Sequence, residues 1–177
     1  MSLWRMRAHL WVCLAWLAGL CAACQPAAAQ PLELASQTQN GVQVTLRLVY
    51  DDEGQALLEA IFTPEEADAH LYSKDLPLEG LDGLGRPTRL DLPQASPLQA
   101  RGDLQESAAA ESLVVSPDLP ALPVYPAGPV TLRLPLTLPP EGVESAQVLV
   151  SYMACTPRGC NKPVINQAID LGALSAP

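Results

Sequence analysis

Two cysteines, Cys155 and Cys160, stand in the run Cys155-Thr156-Pro157-Arg158-Gly159-Cys160, and thiols at that spacing have two uses. Joined, they close a loop; as a dithiol they exchange electrons with another disulfide, one thiolate attacking and the second resolving the mixed intermediate. Pro157 and Gly159 suit a tight turn that folds the chain back on itself, so a bond between the two sulfurs is sterically reasonable. The loop it would close is small, and in the chain-entropy description a short loop restrains the unfolded state less than a long one. That makes the pair a poor staple, although a structural crosslink is the commonest role of cysteine pairs in exported domains. Arg158 between the cysteines and Lys162 just after them would favour a thiolate, and equally are what ordinary solvated loop charge looks like. On the residues alone both uses stay open.

Little else in the chain offers chemistry. Cys13, Cys21 and Cys24 complete the five cysteines and lie in the amino-terminal segment. The two histidines are His9, also in that segment, and His70, which leaves no material for a Ser-His-Asp set. Met153 and His70 with the cysteine pair would make a soft site for Cu(I), but no Met-rich or His-rich tract accompanies them, and no metal or other cofactor is assigned. Formal net charge is -9, and every Asp and Glu lies beyond residue 30. Without Arg5 and Arg7 the count is 8 basic against 19 acidic residues, or -11. Such a chain is not expected to bind nucleic acid or an anionic lipid surface.

The elements that must position the cysteines are short strands. Eighteen prolines and eleven glycines, set between apolar runs rich in Val, Leu and Thr, disfavour long helices and predict an all-β domain. Val42, Val44, Leu46 and Leu48 alternate with polar residues and predict a strand with one buried face. Asp51-Asp52-Glu53-Gly54 then predicts a turn into a returning strand over Ala56 to Thr63. Glu65-Glu66-Ala67 suits one helical turn, 93–110 is the least ordered-looking stretch, and Val130 to Leu138 alternates again with Pro135 expected at an edge or bulge. Strands are also expected over Ala146 to Met153 and Val164 to Leu171, with the cysteines flanking a hairpin-like loop between them. Eight or nine short strands without an internal repeat fit an immunoglobulin-like β-sandwich, and no strand-helix alternation supports a thioredoxin-like fold.

At the amino terminus, Arg5 and Arg7, an apolar stretch of roughly a dozen residues and then small residues predict an export signal, too short for a spanning helix. Cys21-Ala22-Ala23-Cys24 resembles a lipobox ending at Cys24, with Cys21 departing from the usual first residue; Ala27-Ala28-Ala29 would suit ordinary signal peptidase instead. Residues 1–24 are thus expected to be a signal peptide, in one version a lipoprotein signal acylated at Cys24. Residues 25–31 form a low-complexity linker and 32–177 the folded domain. Either cleavage puts the cysteine pair outside the cytoplasm.

The run from Val150 to Pro163 resembles the redox motif of the amino-terminal domain of the thiol:disulfide interchange protein DsbD. That family shows a strand ending in Tyr, two residues, Cys, a short variable loop, Cys, two residues and Pro, which here are Tyr152, Cys155, Cys160 and Pro163. His70-Leu71-Tyr72-Ser73, then Gly85-Arg86-Pro87-Thr88, and Val124-Tyr125-Pro126-Ala127-Gly128 are similar to other family segments in the same order. The resemblance implies an immunoglobulin-like periplasmic domain with a protein-disulfide reductase-like activity. It would take electrons from a thioredoxin-like or membrane-embedded thiol-disulfide donor and pass them to oxidised envelope proteins, cytochrome c maturation being one such process. It also implies Cys160 as nucleophile, Cys155 as resolver and Tyr72 as the strand tyrosine near them, a position that an ordinary half-buried sandwich tyrosine would fill equally. The family's aromatic cap over the cysteines has no counterpart in the region 96–119, which lacks Phe, Tyr and Trp, so a cap there would be aliphatic or missing. The alternative is a non-catalytic exported binding module whose disulfide merely closes a hairpin.

Overall fold

The computed structural model describes residues 30–175. The expected signal peptide, with Cys24, lies outside the described residues.

The alternating run that predicts a strand becomes β2 (Val42–Tyr50), flanked by β1 (Leu32–Gln39) and β3 (Ala56–Pro64). The β1–β2 hairpin turns through Asn40-Gly41, both at positive φ (49° and 75°), as a two-residue hairpin loop requires. The turn into β3 is held by Asp51, whose Oδ1 accepts from the amides of Glu53 and Gln55 at 3.0 and 2.8 Å. β10 (Val130–Thr137) pairs with β3 on one side. On its other side it pairs with two short strands, β7 (Gln105–Glu106) and β6 (Gln99–Ala100).

Pro135 sits where that second ladder breaks: β7 faces Leu132 and Arg133, and β6 faces Leu136 and Thr137. The Pro135 carbonyl points to this side, where it accepts from Arg101 N at 2.8 Å. In a strand the N and C=O of one residue point the same way, so the missing proline N–H falls at the break and costs no ladder bond. β10 is therefore an interior strand.

The second sheet is β5 (Arg89–Asp91), β11 (Val143–Tyr152) and β14 (Val164–Leu174), with β11 in the middle. Val42, Val44, Leu46 and Leu48 of β2, with Leu58, Ala60 and Phe62 of β3, meet Val148, Val150 and Tyr152 of β11 and Ile169 and Leu171 of β14 in one buried cluster. Phe62 and Tyr152 touch edge to face across it, with ring centroids 5.7 Å apart. The fold is thus an all-β sandwich. The described residues form fourteen strands, more than expected, because several are pieces of two or three residues. Two of these lie in the stretch expected to be least ordered, and Glu65-Glu66-Ala67 forms a bend and turn and no helix.

Removing the ring at the centre of this core should be felt through the whole sandwich. Phe62→Ala is expected to lower the unfolding free energy by about 3–5 kcal/mol in urea denaturation. A loss below about 1 kcal/mol would mean that the two sheets do not share this core.

Candidate functional site

The cysteines occupy a hairpin that leaves the end of β11. β12 (Ala154–Thr156) and β13 (Gly159–Cys160) pair antiparallel, with Cys155 opposite Cys160 and Thr156 opposite Gly159. The turn between them is Pro157-Arg158, as the residue types predict. Thr156 Oγ1 holds it by accepting from Arg158 N at 3.2 Å, and Asn161 N donates to Ala154 O at 2.9 Å on the way out. The two sulfurs are joined, and the Cα atoms lie 4.0 Å apart. On its far side β12 pairs with β4 (His70–Leu71), which sets Cys155 opposite His70 and Ala154 opposite Leu71.

Strand alternation sorts these residues into two groups. Leu71 and Ala154 point into the sandwich core. Cys155 and Tyr72 point the other way, into a smaller cluster with Leu76, Leu122 and Val124. The two sulfur residues are unequal: Cys155 is 2% exposed, whereas Cys160 is exposed. Cys160 is the more accessible of the two.

Tyr72 lies over the pair, its hydroxyl 3.2 Å from Cys155 Sγ and 4.0 Å from Cys160 Sγ. A disulfide sulfur carries no hydrogen, so the phenol donates. Burial raises the Tyr72 pKa above its usual value, which keeps it a phenol and a donor at neutral pH. The segment around Gly85 seats this ring. A Cβ on Gly85, whose φ is +74°, would stand 2.8 Å from the Tyr72 ring, so the close approach needs glycine. Arg86 donates to the carbonyls of Glu79 and Gly83 at 2.9 Å each, which folds the loop upon itself. Thr88 Oγ1 donates to the Tyr72 carbonyl at 2.7 Å. The Gly85-Arg86-Pro87-Thr88 run therefore serves the tyrosine.

Beside the disulfide opens a cavity of about 630 Å³ with largely apolar walls, among them Leu84, Leu113, Val115, Leu122 and Met153. Leu113 ends β8 (Glu111–Leu113) and Leu122 begins β9 (Leu122–Val124), so this antiparallel pair contributes to the cavity wall. Within the region 96–119, which lacks aromatic residues, Leu113 and Val115 line this cavity, and Val115 is 59% exposed.

The remaining expected residues fall in different places. Arg158 lines the cavity, but its guanidinium pairs with Glu66 and with Asp68 at 3.7 Å, so its charge is shared with two carboxylates. Sequence reasoning missed both acids, and no local pattern marks them. Tyr152 is not at the sulfurs: it is fully buried in the sandwich core and donates to Gln39 O at 3.2 Å, and burial pushes its pKa up to about 12. It fixes the strand from which the hairpin springs. Pro163 is half-buried between β13 and β14, next to Lys162, whose carbonyl accepts from Asn40 Nδ2 at 2.9 Å. His70 and Met153 line the cavity. Among the described residues, no group of three or more His, Cys, Asp or Glu side chains is placed to hold a metal ion.

A phenol donating to Cys155 sulfur stabilises the thiolate over the thiol once the pair is reduced. Tyr72→Phe is therefore expected to raise the Cys155 thiol pKa by about 1–2 units, since a hydrogen bond to a charged group is worth about 1.5–3 kcal/mol. Thiolate ultraviolet absorbance, followed against pH in a Cys160→Ser background, checks this; an unchanged pKa would contradict it.

No protein-family model and no curated protein matches the sequence. Solved structures align with the chain, two of them as follows. The N-terminal domain of DsbD from Neisseria meningitidis, in its reduced form, aligns over 75% of this chain and 85% of its own length with a TM-score of 0.47 and 16% identity. The N-terminal periplasmic domain of ScsB from Proteus mirabilis aligns over 81% of this chain with a TM-score of 0.51 and 11% identity, and this chain spans 52% of it. The all-β sandwich that carries the Cys155–Cys160 hairpin is thus the fold found in the N-terminal periplasmic domain of ScsB.

Proposed function

We propose that this protein is an extracytoplasmic thiol-disulfide exchange module that passes reducing equivalents through Cys155 and Cys160 to oxidised envelope proteins. The observation that carries the reading is the asymmetry of the pair: one exposed cysteine, one buried cysteine whose sulfur lies under a hydrogen-bond donor, both beside an open apolar cavity. A structural crosslink needs none of these. In the reduced domain the Cys160 thiolate attacks a client disulfide, the client's other sulfur leaves as a thiol, and a mixed disulfide forms. Cys155 then attacks Cys160 Sγ, closing the hairpin disulfide and releasing the client's second thiol. Two electrons have moved from domain to client, and a thioredoxin-like or membrane-embedded dithiol donor restores the pair by the reverse exchange. The periplasmic setting of the ScsB domain supports the same compartment here, which the export signal in residues 1–24 would reach. Acylation of Cys24 would hold the domain at a membrane surface. Cytochrome c maturation factors are among the clients such a module would serve.

The asymmetry predicts which single-cysteine variant traps a partner. Mixed with a thioredoxin-like protein bearing an activated disulfide on its one active-site cysteine, Cys155→Ser should form the mixed disulfide at least about tenfold faster than Cys160→Ser, because only the former presents an accessible thiolate. Non-reducing gels quantify it. Equal rates, or faster trapping through Cys155, would overturn the assignment.

A further inference from the structure

His70 stands directly across from Cys155 on the strand opposite to the one that carries Cys160, and the exchange steps do not employ its imidazole. The two residues are register partners in the β4–β12 ladder, and both line the cavity. Side chains directly opposite on one face of an antiparallel pair have Cβ atoms about 4.5–5.5 Å apart. The imidazole meets the Tyr72 ring edge on, with centroids 5.6 Å apart. Its Nε2 is buried and has no hydrogen-bond partner. A buried polar atom without a partner calls for a reason, and one reason is a partner that exists only in another state of the site. The disulfide supplies no hydrogen. Once it is broken, Cys155 gains an S–H, and its Sγ, no longer tied to Cys160, is free to turn about χ1 toward the neighbouring strand.

We propose that in the reduced domain His70 is the proton partner of Cys155. The thiol proton passes to the imidazole, and the thiolate, still under the Tyr72 hydroxyl, attacks Cys160 Sγ of the mixed disulfide. The Cys155–Cys160 bond forms, the bond from Cys160 to the client sulfur breaks, and the client sulfur leaves with the electron pair. The proton held by His70 then passes to that leaving thiolate. The client disulfide is reduced by two electrons and the domain dithiol is oxidised by two.

The surroundings leave this role to His70. Tyr72, just beyond β4, is a phenol that donates. Asp68, before β4, and Arg158, in the hairpin turn, face the same cavity and pair with each other, Arg158 also pairing with Glu66. Burial lowers the His70 pKa, so the ring is neutral near pH 7 and able to accept. A thiolate beside it would raise that pKa again.

The inference rests on the exchange reading for its client, and its test uses glutathione disulfide in place of one. The exported, processed protein is reduced, mixed with glutathione disulfide and quenched with acid, and the rate of ring closure is followed against pH for the wild type and His70→Gln. General base assistance predicts closure about a hundredfold slower in His70→Gln near pH 7, the deficit shrinking as pH approaches the ordinary thiol pKa of about 8.5. Parallel profiles would overturn the proposal. A second measurement needs no substitution at the histidine. The His70 imidazole resonances are titrated in oxidised and reduced wild type and in Cys155→Ser. The apparent pKa should rise on reduction, and the rise should vanish in Cys155→Ser; the same pKa in both redox states would overturn the proposal. If glutathione disulfide does not close the ring at any pH, the exchange reading fails, and the titration alone decides for or against His70.

Discussion

The site depends on the pairing of Ala154 and Cys155 with Leu71 and His70. Because side chains alternate along a strand, this one register sends Leu71 and Ala154 into the sandwich core and leaves Cys155, His70 and Tyr72 to face the cavity. A slip of one residue would bury the imidazole in the core and turn the cysteine away from its tyrosine. The large apolar faces of β2, β3 and β11 fix the hairpin's root, through Tyr152 and its bond to the Gln39 carbonyl. The short strands that carry the chemistry have little stability of their own and take their geometry from that core.

The disulfide itself contributes modestly to stability. Closing a loop of about six residues restrains the unfolded chain by about 2 kcal/mol in the entropy model, little beside the burial of the sandwich faces. Most of the stability therefore lies in the sandwich core and not in the bond, which suits a pair that is opened and closed. What surrounds the bond differs from what surrounds a buried staple: Cys160 is accessible, a phenol donates to Cys155, and Leu113, Val115 and Leu122 line one side without sealing it.

Strong alternation made the larger elements legible. The strands around Val42–Leu48, Ala56–Thr63 and Val130–Leu138, and the turn between the cysteines, could be read because hydrophobic period and turn residues agree there. β1 was less visible, since its residues are mostly polar and lie at the sheet edge, although Asn40-Gly41 is a hairpin signal of the strongest kind. The pieces between 99 and 113 pair for only two or three residues, too short for any period to show. At the site, Tyr72 and the cysteines could be named because a motif carries them. The acids that share Arg158, and the pairing of His70 with Cys155, come from tertiary register and leave no local trace in the sequence.

The central claim is that Cys155 and Cys160 exchange electrons and do not merely close a hairpin. The most direct test is the reduction potential of the pair in the exported protein, equilibrated against defined thiol buffers. The structure predicts a value within the span of about -120 to -270 mV covered by exchange proteins. A value below about -300 mV would mark a stable structural disulfide and contradict the account.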